Sequence, residues 1–219
     1  MRYELIIFDW DGTLMDSVPK IVACMQAAAI DAKWGALEVS AIEDIIGLGL
    51  PEAIAKLCPG ISLAQAEHLR QRYAYHFVEG DTTPMSFFEG VSAQMARLRE
   101  RQHQRLAVAT GKSRRGLDRI FAETGSGRWF HASRTADETR SKPHPQMLAE
   151  LLDELKVPVE RAVMVGDTEY DLEMARSIGM DRVGVTYGVH APARLAASQP
   201  VWMADNVEML FDWLHGEEH

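Results

Sequence analysis

Two aspartates one residue apart, Asp9 and Asp11, follow the apolar run Leu5-Ile6-Ile7-Phe8 and precede Gly12-Thr13. Further along, Thr110-Gly111 follows Leu106–Ala109, Lys142 stands before Pro143, and Asp167 and Asp171 follow Ala162–Val165. Carboxylates gathered in one place repel one another and raise each other's pKa values. A divalent cation between them removes the repulsion. Oxygen ligands without histidine or cysteine in the motifs suit a hard ion such as Mg²⁺. Opposite such an ion, the Thr110 hydroxyl, the Gly111 amide and the Lys142 ammonium could hold a phosphate. An EF-hand calcium loop also opens Asp-x-Asp, but it needs an oxygen ligand at its fifth position, glycine at its sixth and glutamate at its twelfth. Thr13, Leu14 and Lys20 stand there, and a strand-like run precedes the pair where a helix is required.

These residues can meet only if the elements carrying them end on one side. Leu5–Phe8, Leu106–Ala109 and Ala162–Val165 read as strands buried on both faces, with Val183–Val185 and Trp202 in further ones and a short strand at Trp129–His131. Helices are expected over about Val91–Arg101, Arg114–Glu123, Met147–Leu155, Tyr170–Ile178 and Val207–Leu214. Alternating strands and helices imply an α/β fold with a doubly wound, Rossmann-like parallel sheet. Ligands bind beyond the carboxyl ends of such strands, which is where Asp9, Asp11, Thr110, Asp167 and Asp171 fall. Between Ser17 and Glu79 the pattern is helical throughout. Asp16 or Ser17 is placed to cap the first helix, and Ser40/Glu43 and Ser62/Gln65 have capping-box spacing. The predicted organisation is a core of residues 1–15 and 85–219 with a helical cap, 16–84, inserted after the first strand.

Composition sets outer limits. The chain has 219 residues, 47% hydrophobic and 25% charged, enough for a sizeable core. Its formal charge of −9 offers no general attraction to nucleic acid or anionic membrane, so an anionic substrate needs a local cation. Two cysteines make no disulfide framework, and neither a signal peptide nor a membrane-spanning run is evident, so a cytoplasmic setting is expected.

In order, the four stretches read FDWDGTL, VATGK, SKPHP and VGDTEYD. Together they resemble the haloacid dehalogenase-like hydrolases. DGTLMDSVPKI followed by a helical cap is most similar to the phosphoglycolate phosphatase-like branch. The resemblance implies Mg²⁺-dependent hydrolysis of a small phosphorylated metabolite. Asp9 would be the nucleophile that forms an aspartyl-phosphate, and Asp11 the general acid and base. The metal would be held by the Asp9 carboxylate, the Asp11 main-chain carbonyl and Asp167, with Asp171 holding metal-bound water or orienting Lys142. The presence of Asp11 argues against a dehalogenase, whose halide needs no proton. A β-phosphoglucomutase-like mutase is the alternative, and a catalytically silent binding member is another. A mutase needs a cationic grip on a second phosphate, which the neutral loop Gly47–Pro51 lacks but which Arg70 or Arg72 could supply if they point inward. Tyr73 and Phe77 are expected in the cap core, Arg114 and Arg115 on a solvated helix face, and Phe87 and Phe88 at the hinge.

Overall fold

The computed structural model describes residues 3–216. β1 (Leu5–Phe8) is buried along its whole length. The chain then turns at Gly12, whose φ of +78° is left-handed, and a Cβ there would lie 2.2 Å from Asp167 Oδ2, so only glycine fits. β2 (Met15–Asp16) follows, and then the helices α1 (Val18–Asp31), α2 (Val39–Glu43), α3 (Leu50–Leu57) and α4 (Leu63–Tyr75). The return to the sheet begins with β3 (Ser86–Phe87) and α5 (Val91–Arg99). It continues through β4 (Arg105–Thr110), α6 (Arg114–Thr124), β5 (Ala132–Thr135), α7 (Gln146–Leu155), β6 (Ala162–Gly166) and α8 (Glu169–Arg176). β7 (Asp181–Val185), α9 (Pro192–Ala196), β8 (Trp202–Ala204) and α10 (Val207–His215) complete it.

The main sheet is parallel, in the order β5-β4-β1-β6-β7-β8. From β1 the chain builds outward to one side through β4 and β5, then returns and builds outward through β6, β7 and β8. The reversal therefore flanks β1, and a crevice opens at its carboxyl end. Side chains alternate between the two faces. Ile6 and Phe8 join Leu98, Leu117 and Phe211 in one apolar cluster, while Leu5 and Ile7 join Met147, Leu151 and Met174 in the other. A third cluster, including Met25, Ala28, Ile42, Ile54 and Leu69, holds α1–α4 together.

Several local expectations change. The two connections between the sheet and the helical insert pair with each other: Met15 lies opposite Phe87 and Asp16 opposite Ser86, antiparallel. Strands of two residues carry no periodicity, so the sequence does not announce them. The proposed boundary after residue 15 falls inside β2. The α2 helix begins at Val39 with Glu38 at its N-cap position, and Ser40 makes no cap. Ser62 and Gln65 do form a capping box. Trp129 lies in a 3-10 turn (Ser126–Trp129), and the strand is Ala132–Thr135 instead. The reason is packing: Trp129 and Phe130 join the aromatic group around Trp10 and Phe87, while the polar sequence of β5 suits a sheet edge. Among the described residues no helix is long and apolar enough to cross a membrane.

Candidate active site

The register of the sheet sets the site. Phe8 is level with Val108 on one side and Val165 on the other, so Asp9, Thr110 and Asp167 emerge together at the carboxyl edge. Asp9 continues the ladder, its amide donating to the Val165 carbonyl at 2.9 Å. Lys142 lies in the turn ahead of α7, rather than in the helix itself, and reaches the same point. Its Nζ donates to Asp9 Oδ1 at 2.6 Å and lies 2.6 Å from Asp171 Oδ1, all three side chains being essentially inaccessible. Asp171 is aimed by its helix: Thr168 caps α8, and its amide and hydroxyl both donate to Asp171 Oδ2. Asp167 is held from two sides, by the Thr13 hydroxyl at Oδ1 and by the Val189 amide at Oδ2, both at 2.9 Å. Gly188 makes this approach possible, since a Cβ there would lie 2.2 Å from the Asp167 side chain.

Burial and mutual repulsion dominate the charges. Burial, then the negative charge of Asp171, push the Asp9 carboxyl well above its usual range. The same two causes push Asp167 up to about 7. Burial alone would depress Lys142, but the charges of Asp171 and Asp9 outweigh it and hold the ammonium above its ordinary value. One lysine thus faces three carboxylates. Oxygens of Asp9, Asp167 and Asp171 all lie within 4.8 Å of one another, and Asp9 Oδ2 is buried with no hydrogen-bond partner among the described residues. An all-oxygen, over-negative, buried donor set fits a hard divalent cation.

Asp11 stands apart from this group. Its Oδ1 accepts from the Ser17 hydroxyl at 2.5 Å and lies 2.9 Å from Lys112 Nζ. Ser17 occupies the N-cap position of α1 but makes no side-chain cap bond, because its hydroxyl is committed to Asp11. Above Asp11, Tyr73 is partly buried against the cap cluster. Burial and the charge of Asp11 hold its phenol well above the ordinary value. The ring of Phe77 lies 5.0 Å from Lys112 Nζ. Both aromatic residues therefore border the site as well as packing the cap.

Thr110 is buried and its hydroxyl accepts from the Lys112 amide at 3.2 Å. Gly111 meets the helical insert directly: a Cβ there would lie 2.6 Å from the carbonyl oxygens of Gly47 and Leu48. Close by, the Gly49 amide donates to Ser141 Oγ at 2.8 Å. The neutral loop thus seats on the glycine of the second motif and on the residue before Lys142. A charged group joins the two layers further out. Arg194 pairs with Glu169 and with Asp44, Lys56 lies 2.8 Å from Asp44 Oδ2, and the Tyr170 hydroxyl donates to the Asp44 carbonyl. Arg70 pairs with Glu67 and Arg72 with Asp31, so neither is committed to the site. Arg114 is more engaged than a solvated face implies, with ion pairs to Asp118 and Glu138.

Asp9, Lys142, Asp167 and Asp171 come into one cluster, with Thr110, Gly111 and Asp11 around it. Four contributors were not legible in the sequence: Ser17, Lys112, Thr13 and the Gly188-Val189 stretch. Lys112 alone had a signal, its place two residues past Thr110 at the same strand end.

The model of the haloacid dehalogenase-like hydrolase family matches residues 6–185. A plasmid-encoded phosphoglycolate phosphatase of Cupriavidus necator is 31% identical over 212 residues, covering 94% of this chain and 90% of that protein. A phosphoglycolate phosphatase of Vibrio cholerae is 28% identical over 224 residues, covering 95% and 96%. A hydrolase of Pseudomonas syringae has the same fold, with a TM-score of 0.85 at 22% identity over 99% of this chain and 100% of that one.

Proposed function

The chain belongs to the haloacid dehalogenase-like hydrolases and is a phosphatase of their phosphoglycolate phosphatase-like branch, and from that premise we propose that it hydrolyses small phosphate monoesters through an aspartyl-phosphate on Asp9. The observation that carries this reading is the asymmetry of the Asp9 carboxylate. Oδ1 is pinned by Lys142, while Oδ2 is buried and has no hydrogen-bond partner among the described residues. A carboxylate held by one oxygen and bare at the other is prepared for in-line attack.

In the first step Oδ2 of Asp9 bonds to phosphorus as the bond from phosphorus to the alcohol oxygen breaks. Asp11 passes a proton to that oxygen. In the second step a water attacks phosphorus, Asp11 takes the water's proton, and the bond to Asp9 breaks to release phosphate. Lys142 balances charge on the phosphoryl oxygens in both steps, and Thr110 and the Gly111 amide bind them. Asp9, Asp167 and the Asp11 carbonyl would hold Mg²⁺, with Asp171 supporting through Lys142. When bound, the ion supplies positive charge to the phosphoryl group and relieves the repulsion among the carboxylates. The cap, proposed as residues 16–84, excludes bulk water and meets the leaving group. Arg70 and Arg72 are engaged by Glu67 and Asp31, which supports hydrolysis over transfer to a second phosphate site.

The purified protein should release phosphate from p-nitrophenyl phosphate and from a panel of small monoesters with Mg²⁺ present, and stop with EDTA. A labelled phosphoryl group should be trapped on Asp9 by rapid acid quench. Turnover without that intermediate would refute the covalent route, and full activity in EDTA would refute the metal.

A further inference from the structure

Resting on the reading of Asp11 as general acid and base, we infer that Phe77 of the helical insert is a positioning residue for Asp11. It acts through Lys112, so that proton transfer to the leaving alcohol depends on where the insert sits.

Asp11 is not held by the carboxylates of Asp9, Asp167 and Asp171. Its Oδ1 accepts from the Ser17 hydroxyl at 2.5 Å and lies 2.9 Å from Lys112 Nζ. Both contacts fall on one oxygen, which leaves Oδ2 to exchange a proton with the alcohol. Ser17 fixes Asp11 from its own stretch of chain. Lys112 comes from beyond the end of β4 on a long flexible stem, and its ammonium has three donors that any nearby acceptor can take. The direction of that stem has to be chosen by what packs against it.

Phe77 is the group in place to do so. Its ring centroid lies 5.0 Å from Lys112 Nζ, so one ammonium meets both the ring and the Asp11 carboxylate. Lys20 and Arg119 bring their charged atoms to 5.6 and 5.7 Å from the same centroid. Lys20 belongs to the insert and is tied there, 2.8 Å from the Asp81 carbonyl. Lys112 and Arg119 belong to the sheet side, so this ring is a point where the two layers meet. Phe77 is anchored in the insert: it packs against the apolar cluster of α1–α4, with the ring of Tyr73 5.7 Å away. The backbone is specialised at the same place. His76–Gly80 is a single turn of π-helix at the end of α4, and the Asp81 amide closes it on the His76 carbonyl at 2.9 Å. Such turns are rare and frequently stand at functional sites. A shift of the insert takes the ring from Lys112 and leaves the ammonium with one anchor fewer. A leaving group that departs readily as an anion asks little of Asp11, whereas an alkyl alcohol needs its proton.

The test measures single-turnover phosphoenzyme formation at saturating substrate, with Mg²⁺, from 2-hydroxyethyl phosphate and from p-nitrophenyl phosphate. Phe77→Leu keeps an apolar side chain in the insert and removes the π face. From the strength of a cation–π contact, it should lower the alkyl-to-aryl rate ratio by roughly twofold to thirtyfold. Phe77→Tyr, which keeps the π face, should hold the wild-type ratio. In a Lys112→Met background Phe77→Leu should lower the ratio no further, because the contact it removes is already gone. Phe77→Met gives the same readout where Phe77→Leu does not fold. A Phe77 that only supports the fold would slow both esters alike, or lower the ratio equally with and without Lys112, and either result overturns the inference. Asp11→Asn separates the two levels. A ratio that Asp11→Asn leaves unmoved defeats the general-acid reading, and this inference with it. A ratio that falls in Asp11→Asn but not in Phe77→Leu defeats this inference alone.

Discussion

The floor of the site and the helical insert, its roof, both hold acid–base ion pairs of similar length, in opposite surroundings. On the floor, Lys142 lies 2.6 Å from Asp9 and 2.6 Å from Asp171 with no exposure. On the roof, Arg70 lies 2.7 Å from Glu67 and Arg72 2.6 Å from Asp31, with side chains a third to a half exposed. Distance does not separate them; solvent does. Around the roof pairs, water screens the attraction and competes for both partners. On the floor the partners have already lost their water, so each depends on the other and removing one strands the rest. The floor is thereby interdependent and over-negative. The roof pairs can be rearranged at little cost.

The largest test of that contrast is chemical. Asp9→Asn keeps the shape of the floor but removes the attacking charge, so turnover of p-nitrophenyl phosphate should fall on the order of 10⁴-fold or more with the circular dichroism spectrum unchanged. Appreciable activity in clean Asp9→Asn protein would remove the floor from the mechanism.

Next comes Lys142→Met. Taking one partner from a buried charged group costs about 3–5 kcal/mol, so the urea midpoint of the metal-free variant should drop markedly at pH 8. Activity should fall for good and poor leaving groups alike. Added Mg²⁺ should recover part of the stability, because it supplies positive charge to the same carboxylates. A loss no greater than that caused by Arg70→Ala would break the comparison.

The third test uses pH. Burial and Asp171 raise Asp167 to about 7, whereas an unfolded aspartate ionises near ~3.9. The folded state therefore binds the proton more tightly. Its contribution to metal-free stability is full at acid pH and is lost as pH rises through about 7. Asp9 acts in the same direction. Wild-type protein without metal should lose its stability advantage over Asp167→Asn between about pH 4 and pH 7, the interval that ~3.9 and about 7 bracket. The increase in Tm on adding Mg²⁺ should grow over the same interval. A metal-induced shift that shrinks with rising pH would contradict the raised carboxylates.

The smallest effect is expected on the roof. Arg70→Ala and Arg72→Ala, singly or together, should leave hydrolysis and Tm close to wild type, since both arginines pair with exposed carboxylates. A large loss of activity would mean that one of them swings inward during turnover, and would reopen the mutase alternative.

What the amino-acid sequence determined by itself was local. An unbroken apolar run ending in Asp9, and others ending in Thr110 and Asp167, are properties of neighbouring residues. A parallel sheet carries such endings to one edge without further instruction. The period-two division of Leu5–Phe8 between two apolar faces and the Ser62–Gln65 cap were legible for the same reason. What only the tertiary structure decided was the choice of partner. Ser17 gave up its cap for Asp11, Lys112 turned to the same oxygen, Val189 and Thr13 closed on Asp167, and Arg70 and Arg72 took Glu67 and Asp31. A hydroxyl or an ammonium has several acceptable partners at similar energy. Which one it takes depends on which groups have been stripped of water around it, and burial of that kind arises from residues far apart in the chain.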